Sequence, residues 1–463
     1  MAENILKDKI LNVFRENKIH FDNTVFQKGI RDKSIESFDK LGFPHTKLEE
    51  WRFTNLADIL KNDYSIFLEN TERDVDVEKF FRCDIADLDT YTAVCLNAWF
   101  VYKNAPISTL ANGVIIGSLA HALKEFPEIV KIHFGKYSDI ENNAFDALNT
   151  AFALDGIFIF VPDNVIVDKP IQLINILNKQ ENTLIQPRNL VIVGKNSKLK
   201  LVHCDDIFSH VPTLTNSLTE VFIDENGSID HYKMQNNDNN SAMIATTYFH
   251  QEKNSSLTTN TITLNGGLIR NNLNIALNGE GCDSNLYGIY LADKNQLVDN
   301  HTFVDHAKPN CTSNELFKGV VDNKAKAVFN GKIIVRKDAQ KTSANQTNKN
   351  ILLTDDATIN TKPNLQIYAD DVKCSHGATV GQLDADALFY MRARGISEES
   401  AKMLLMYAFA DEVVTKISIP ALREKICQLV NKRLKGELSI CDQCVLHCGN
   451  NEPIVFNIDL SKI

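Results

Sequence analysis

Cys374 and His376 stand two residues apart in the run DDVKCSHGATVG, residues 370–381. The run reads as a strand. Side chains on a strand alternate between faces, so Val372, Cys374 and His376 point one way and Lys373 and Ser375 the other. A thiol and an imidazole on one face form a pair of ligands suited to iron, zinc or sulfur chemistry. The plain alternative is structural: cysteine often serves as a small buried hydrophobe, and a strand histidine is often only hydrogen-bonded. Directly after Gly381 the pattern switches to helical spacing in LDADALFYMRARGISEESAKMLLMYAFADEVV, so the pair lies beside a domain boundary.

Three other groups could do chemistry. CDQCVLHCG places Cys441, Cys444, His447 and Cys448 in one segment, which is half of a typical two-knuckle zinc site or else a thiol-rich tail. DNHTFVDHAKPNCTS holds His301, His306 and Cys311, and reads most simply as a loop between structural repeats. The pairs Asp355/Asp356 and Asp370/Asp371 are adjacent in sequence. Adjacent strand residues face opposite ways, which suits solvated turns better than the paired acids of a glycosidase. No GxxxxGK[ST], strand-linked GxGxxG, GxSxG or HExxH is present, so no bound nucleotide is expected.

The elements that must position these residues change along the chain. Its 463 residues suffice for two or three domains, and 44% hydrophobic with 23% charged residues is ordinary for a globular protein. A formal net charge of -10 argues against nucleic acid or an anionic membrane as main partner. No apolar run approaches the roughly 20 residues that span a bilayer. MAENILKDKILNVFREN lacks a signal-peptide core, so a cytoplasmic location with reduced thiols is expected.

Residues 1–155 read as a mostly helical N-terminal domain. IRDKSIESFDKLG, KLEEWRFTNLADIL, SLAHALKEF and NNAFDALNTAFAL have helical spacing, and TYTAVCLNAWFV looks like a strand. From 156 to 383 short alternating strands are separated by similar polar turns: GKNSKL, DENGSI, EKNSSL, ADKNQL, VDNKAK, TDDATI and ADDVKC. Equivalent turns recur at about 26 to 32 residues with half-steps near 15, the range of a solenoid that adds one coil per repeat. The fold class expected is mainly β, a parallel β-helix, with a β-sandwich as the competing arrangement. Residues 384–463 read as a C-terminal helical domain with a Cys-rich tail. Ser397 is placed to cap a helix reaching Val414, and Pro420 to start another.

The block HTFVDHAKPNCTSNELFKGVV, the stretch from FNGKIIVRKDAQKTSANQ to the CSH run and on to MRARGIS, HTKLEEWRFTNL and GIFIFVPDNVIVDKPIQL together resemble the SufB/SufD family of the Suf iron–sulfur cluster assembly system. The resemblance spans nearly the whole chain. It implies a right-handed parallel β-helix between two helical domains and a non-catalytic scaffold. It further implies pairing of SufB with SufD through their β-helices, one copy of the ATPase SufC on each C-terminal helical domain, and ATP hydrolysis confined to SufC. A nascent cluster would form transiently at the SufB–SufD interface. The family's motif falls on Cys374 and His376, and Cys-Ser-His, where SufB has Glu-His-Glu, favours the SufD branch over a SufB-type sister.

Arg392, Arg394, Met403, Leu404 and Tyr407 are the residues expected to dock SufC. A homodimer is expected when the chain is alone, through edge pairing around residues 362–381. The competing classes are a carbohydrate-active β-helix enzyme and a free-standing metal-binding protein using Cys441, Cys444 and Cys448.

Overall fold

A computed structural model describes residues 2–21, 25–70, 88–102 and 105–438. Its centre is a parallel β-solenoid of about 8 turns. Consecutive strands alternate between two sheets, so each coil adds one strand to a 10-stranded sheet and one to an 11-stranded sheet. Every neighbouring pair from Ile171–Leu177 to Val372–Gly381 is parallel, which excludes the antiparallel sandwich. Coil length follows the turn spacing. Ala242 pairs with Leu268 in a short coil and Lys326 with Thr358 in a long one, the two limits that the spacing of equivalent turns indicates.

The polar turns make the corners for a local reason. Asn164, Asn196, Asn226 and Asn254 all adopt left-handed φ between 54° and 62°, a conformation asparagine tolerates. Successive corner amides also bond: Asn196 Nδ2 donates to Asn164 Oδ1 at 2.9 Å, and Asn226 Nδ2 to Asn196 Oδ1 at 3.0 Å. The acid pairs Asp355/Asp356 and Asp370/Asp371 lie exposed at corners, as solvated turn residues.

Alternating inward side chains fill the solenoid with Val191, Val221, Ile229, Leu257, Phe317, Phe329 and Ala344 among others. Each fully buried Val, Leu, Ile or Phe contributes about 1.5–3 kcal/mol. The packing leaves no slack at Gly288, where an added Cβ would lie 2.3 Å from the Phe317 ring.

Helices cover the outer faces. The helices Glu398–Val414 and Pro420–Leu434 set Met406, Ala410, Val413, Leu422 and Ile426 against Val202, Tyr232, Ile262 and Ile289. Ser397 Oγ accepts from the Ser400 amide, and Pro420 opens the second helix, as the sequence signals indicate. On the other face Ala144–Phe152 and the N-terminal helices pack on Leu184, Leu214, Ile244 and Leu268. None of the helices described is long and apolar enough to cross a membrane.

Two local expectations need revision. KLEEWRFTNLADIL is not one helix but a 3-10 turn, Glu49–Trp51, and a short helix, Ala57–Leu60. Contacts to the solenoid break it: Trp51 lies under the Arg270 guanidinium at 3.8 Å, and Thr54 Oγ1 donates to Asp299 Oδ2 at 2.5 Å. The strand pair Tyr91–Leu96 and Trp99–Val101 is no isolated feature of a helical region. Tyr91–Leu96 pairs in parallel with Ile171–Leu177 and extends the 10-stranded sheet.

Candidate functional site

The solenoid ends in two strands, Thr358–Ile367 and Val372–Gly381, each the terminal member of its sheet. Among the described residues each has one neighbour, Lys326–Val335 and Thr342–Leu352 respectively, which leaves one backbone edge of each unpaired. Neither strand has a buried residue. Around this open end Ile367, Tyr368 and Val380 are exposed apolar side chains, 41%, 64% and 43% accessible.

Cys374 and His376 sit on the last strand with the alternation expected of them. Cys374 is half-buried and packs, with Val372, against the inward core that includes Ala344, its partner in register. Ser375 faces outward, where its Oγ donates to Asn345 Oδ1 at 2.7 Å. His376 is exposed, and its place on the strand aligns it with Gln346. Burial pushes the Cys374 thiol above its ordinary range, so in this chain alone it rests as a neutral thiol. A cation or metal beside it would favour loss of that proton.

The positions behind His376 are polar. Gln346 is buried and follows Glu315, also buried, on the same column. Gln346 Nε2 donates to Glu315 Oε2 at 2.6 Å. No cation faces Glu315 among the described residues, and burial raises its carboxyl to about 7. Deeper inside, His203 Nε2 meets Asp205 Oδ1 at 3.1 Å, and Lys233 Nζ lies 3.0 Å from Asp205 Oδ2. Burial pushes both His203 and His231 down, which favours neutral imidazoles. None of these inward polar groups stands out in the linear sequence. The coil period carries the signal, since Glu315, Gln346 and His376 follow one another in register at steps of one coil.

The second histidine cluster is not a loop and is not one site. His301 and His306 both lie on the strand Leu297–His306. His301 Nε2 pairs with Asp299 Oδ1 at 2.9 Å. His306 is buried, its Nε2 2.8 Å from Ser313 Oγ, and burial lowers it to about 4. Cys311 is buried at a corner, where its thiol donates to the Gly279 carbonyl at 3.3 Å. Cys441, Cys444 and Cys448 lie outside the described residues. Among those described, no group of three or more His, Cys, Asp or Glu side chains is arranged to hold a metal.

The helical residues selected from the sequence divide. Arg392 and Arg394 are exposed: Arg392 pairs with Glu398 at 3.2 Å, and Arg394 Nη2 donates to the Tyr390 hydroxyl at 3.1 Å. Leu404 is exposed, whereas Met403 packs against the core under the helices. Tyr407 turns to Cys427, a contact that pushes its hydroxyl up to about 12. The helix Ala385–Ala393, capped by Asp384, buries no residue. Phe389, 75% exposed on it, is not among the residues selected from the sequence, because helical spacing alone does not tell an exposed apolar residue from one facing a core.

Two family models match the chain. Residues 175–409 match the "SUF system FeS cluster assembly, SufBD core domain", and residues 6–173 the "SufBD protein N-terminal region". An iron-sulfur cluster assembly SufBD family protein of Synechocystis sp. is 32% identical over 413 residues, 87% of this chain and 90% of that protein. The iron-sulfur cluster assembly protein SufD of Escherichia coli is 41% identical over 173 residues, 37% of this chain and 41% of that protein. A chloroplastic protein of Arabidopsis thaliana, ABCI7, is 28% identical over 408 residues, 86% of this chain and 84% of that protein.

Proposed function

The chain belongs to the SufBD family of the Suf iron–sulfur cluster assembly system, and from that premise we propose that it is a SufD-type scaffold subunit, non-catalytic in itself, that pairs with a SufB-type chain through the open end of its solenoid. One observation carries the reading: Cys374 and His376 lie on the terminal strand of the solenoid, whose outer edge is unpaired among the described residues. A partner strand added at this edge would satisfy the unpaired backbone groups and cover the apolar rim. It would also bring a second chain's side chains beside Cys374 and His376.

The chemistry follows from an incomplete ligand set. One thiol and one imidazole cannot enclose an iron ion, but at a junction of two chains each can supply part of the set. Iron and sulfide are here the cargo under assembly. His376, exposed, offers an imidazole nitrogen to iron. Cys374 stays protonated until a cation arrives, which guards it against reaction in the unpaired chain. The helix Ala385–Ala393 and the exposed face of Glu398–Val414 suit a second partner, the ATPase SufC, in which hydrolysis would reside. Phe389, Tyr390, Arg394 and Leu404 form its dock.

Co-expression with SufB-like and SufC-like proteins tests the reading. Co-purification of the three chains, with SufB lost when the terminal strand is altered and SufC lost when Phe389 is altered, is the expected result. Recovery of this chain always alone would overturn it.

A further inference from the structure

Behind His376 the inward column of the 10-stranded sheet carries Leu286, Glu315 and Gln346 on successive coils. Polar side chains in a solenoid core are costly unless hydrogen-bonded. Gln346 is 1% exposed, and its amide reaches across the interior: an added Cβ on Gly331 of the opposite sheet would lie 2.2 Å from its Nε2. That amide donates to Glu315 Oε2 at 2.6 Å, while Oε1 of Gln346 has no hydrogen-bond partner among the described residues. Glu315 Oε2 takes the NH2 end of the amide, which leaves the amide oxygen without a donor. The next rung in register, about 4.8 Å further along the sheet, is His376.

We propose that Gln346, held in orientation by Glu315, is a positioning residue for His376. Turned inward, the exposed His376 ring would donate one N–H to this unpartnered Oε1, which would fix the tautomer and aim the other ring nitrogen, with its lone pair, at the subunit junction. The proposal rests on the reading that His376 works at the assembly site, and it adds the reason why a histidine on an open edge would hold one ring orientation. Histidines that ligate metals usually donate their second ring N–H to an oxygen acceptor. The side chain needed for that role is already buried, oriented and short of one donor. Gly331 permits the arrangement, because any larger residue there would displace the amide.

Long-range 1H–15N spectra of the full chain labelled with 15N-histidine test this, with the His376→Gln spectrum assigning the His376 ring. The expected result is one dominant neutral tautomer for His376, averaging to a mixture in Gln346→Leu and preserved in Gln346→Glu, which keeps an acceptor. Glu315→Gln, which lets the Gln346 amide turn either way, should average the tautomers as well and serves if Gln346→Leu does not fold. In the assembled complex, Gln346→Leu should lower cluster yield roughly tenfold or more with partners still bound. Ring signals unchanged in Gln346→Leu, or in Glu315→Gln where the former does not fold, would overturn the positioning role whatever the yield. Undiminished yield in His376→Ala would instead overturn the assembly-site reading and leave the tautomer result standing.

Discussion

Gln346 and His376 occupy equivalent positions on adjacent strands, yet Gln346 is buried and His376 is exposed. The difference is the coil that would follow. Gln346 is covered by the last coil of the solenoid, and His376 belongs to that coil, on which no described strand stacks. The unfinished stack explains the free backbone edge, the exposed apolar rim and the accessible imidazole together.

Pairing at this end should be sensitive to charge. Val380 is apolar and exposed on the terminal strand. Val380→Asp would place an unpaired carboxylate where two edges meet. Sedimentation at micromolar concentration should show a two-fold dimer for the isolated native chain and a monomer for the variant. A native chain that is strictly monomeric under those conditions would contradict edge pairing between copies.

The two kinds of apolar residue on the C-terminal helices should separate experimentally. Phe389 is exposed, so Phe389→Ser should leave the melting temperature unchanged and weaken SufC binding by about tenfold or more, as loss of an aromatic anchor does. Met403 packs inward, so Met403→Ser should cost about 1–3 kcal/mol of stability. Calorimetric titration and thermal melts of both variants check this, and the opposite assignment would move the dock elsewhere.

The anchor of the N-terminal segment should respond to acid. Asp299 is buried, but Arg270 and His301 outweigh the burial penalty and bring it to about 2, below the ~3.9 of a free carboxyl. A depressed carboxyl contributes stability that is present above the unfolded value and lost as pH falls through the folded one. The contribution, about 2 to 3 kcal/mol, should therefore hold at pH 5 and above and fade from about pH 4 towards pH 2. Trp51 fluorescence in a Trp99→Phe background reports the docking. Asp299→Asn should weaken docking at neutral pH and flatten its acid dependence, and an unchanged profile would contradict the assignment.

Much of the fold could be read from the chain because it repeats. Asparagine corners and the regular spacing of the polar turns follow from local rules that hold at every coil. The segment around Trp51 could not be read, because its shape depends on Arg270 and Asp299, which lie far along the chain in the solenoid. The alternation of Cys374, Ser375 and His376 follows from strand geometry and was legible. The link from His376 to Gln346 and Glu315 depends on register, which the period approximates but does not fix to the residue. On the helices, spacing alone could not distinguish Met403, which packs inward, from Phe389, which does not.

His376 in the assembled complex offers the most direct test. The complex of this chain with its SufB-like and SufC-like partners would be purified with native His376 and with His376→Ala, and cluster content measured from iron, sulfide and visible absorbance. The account predicts the same folding and the same subunit composition for both, with cluster formation abolished in the variant. Equal cluster content in the two complexes would contradict it.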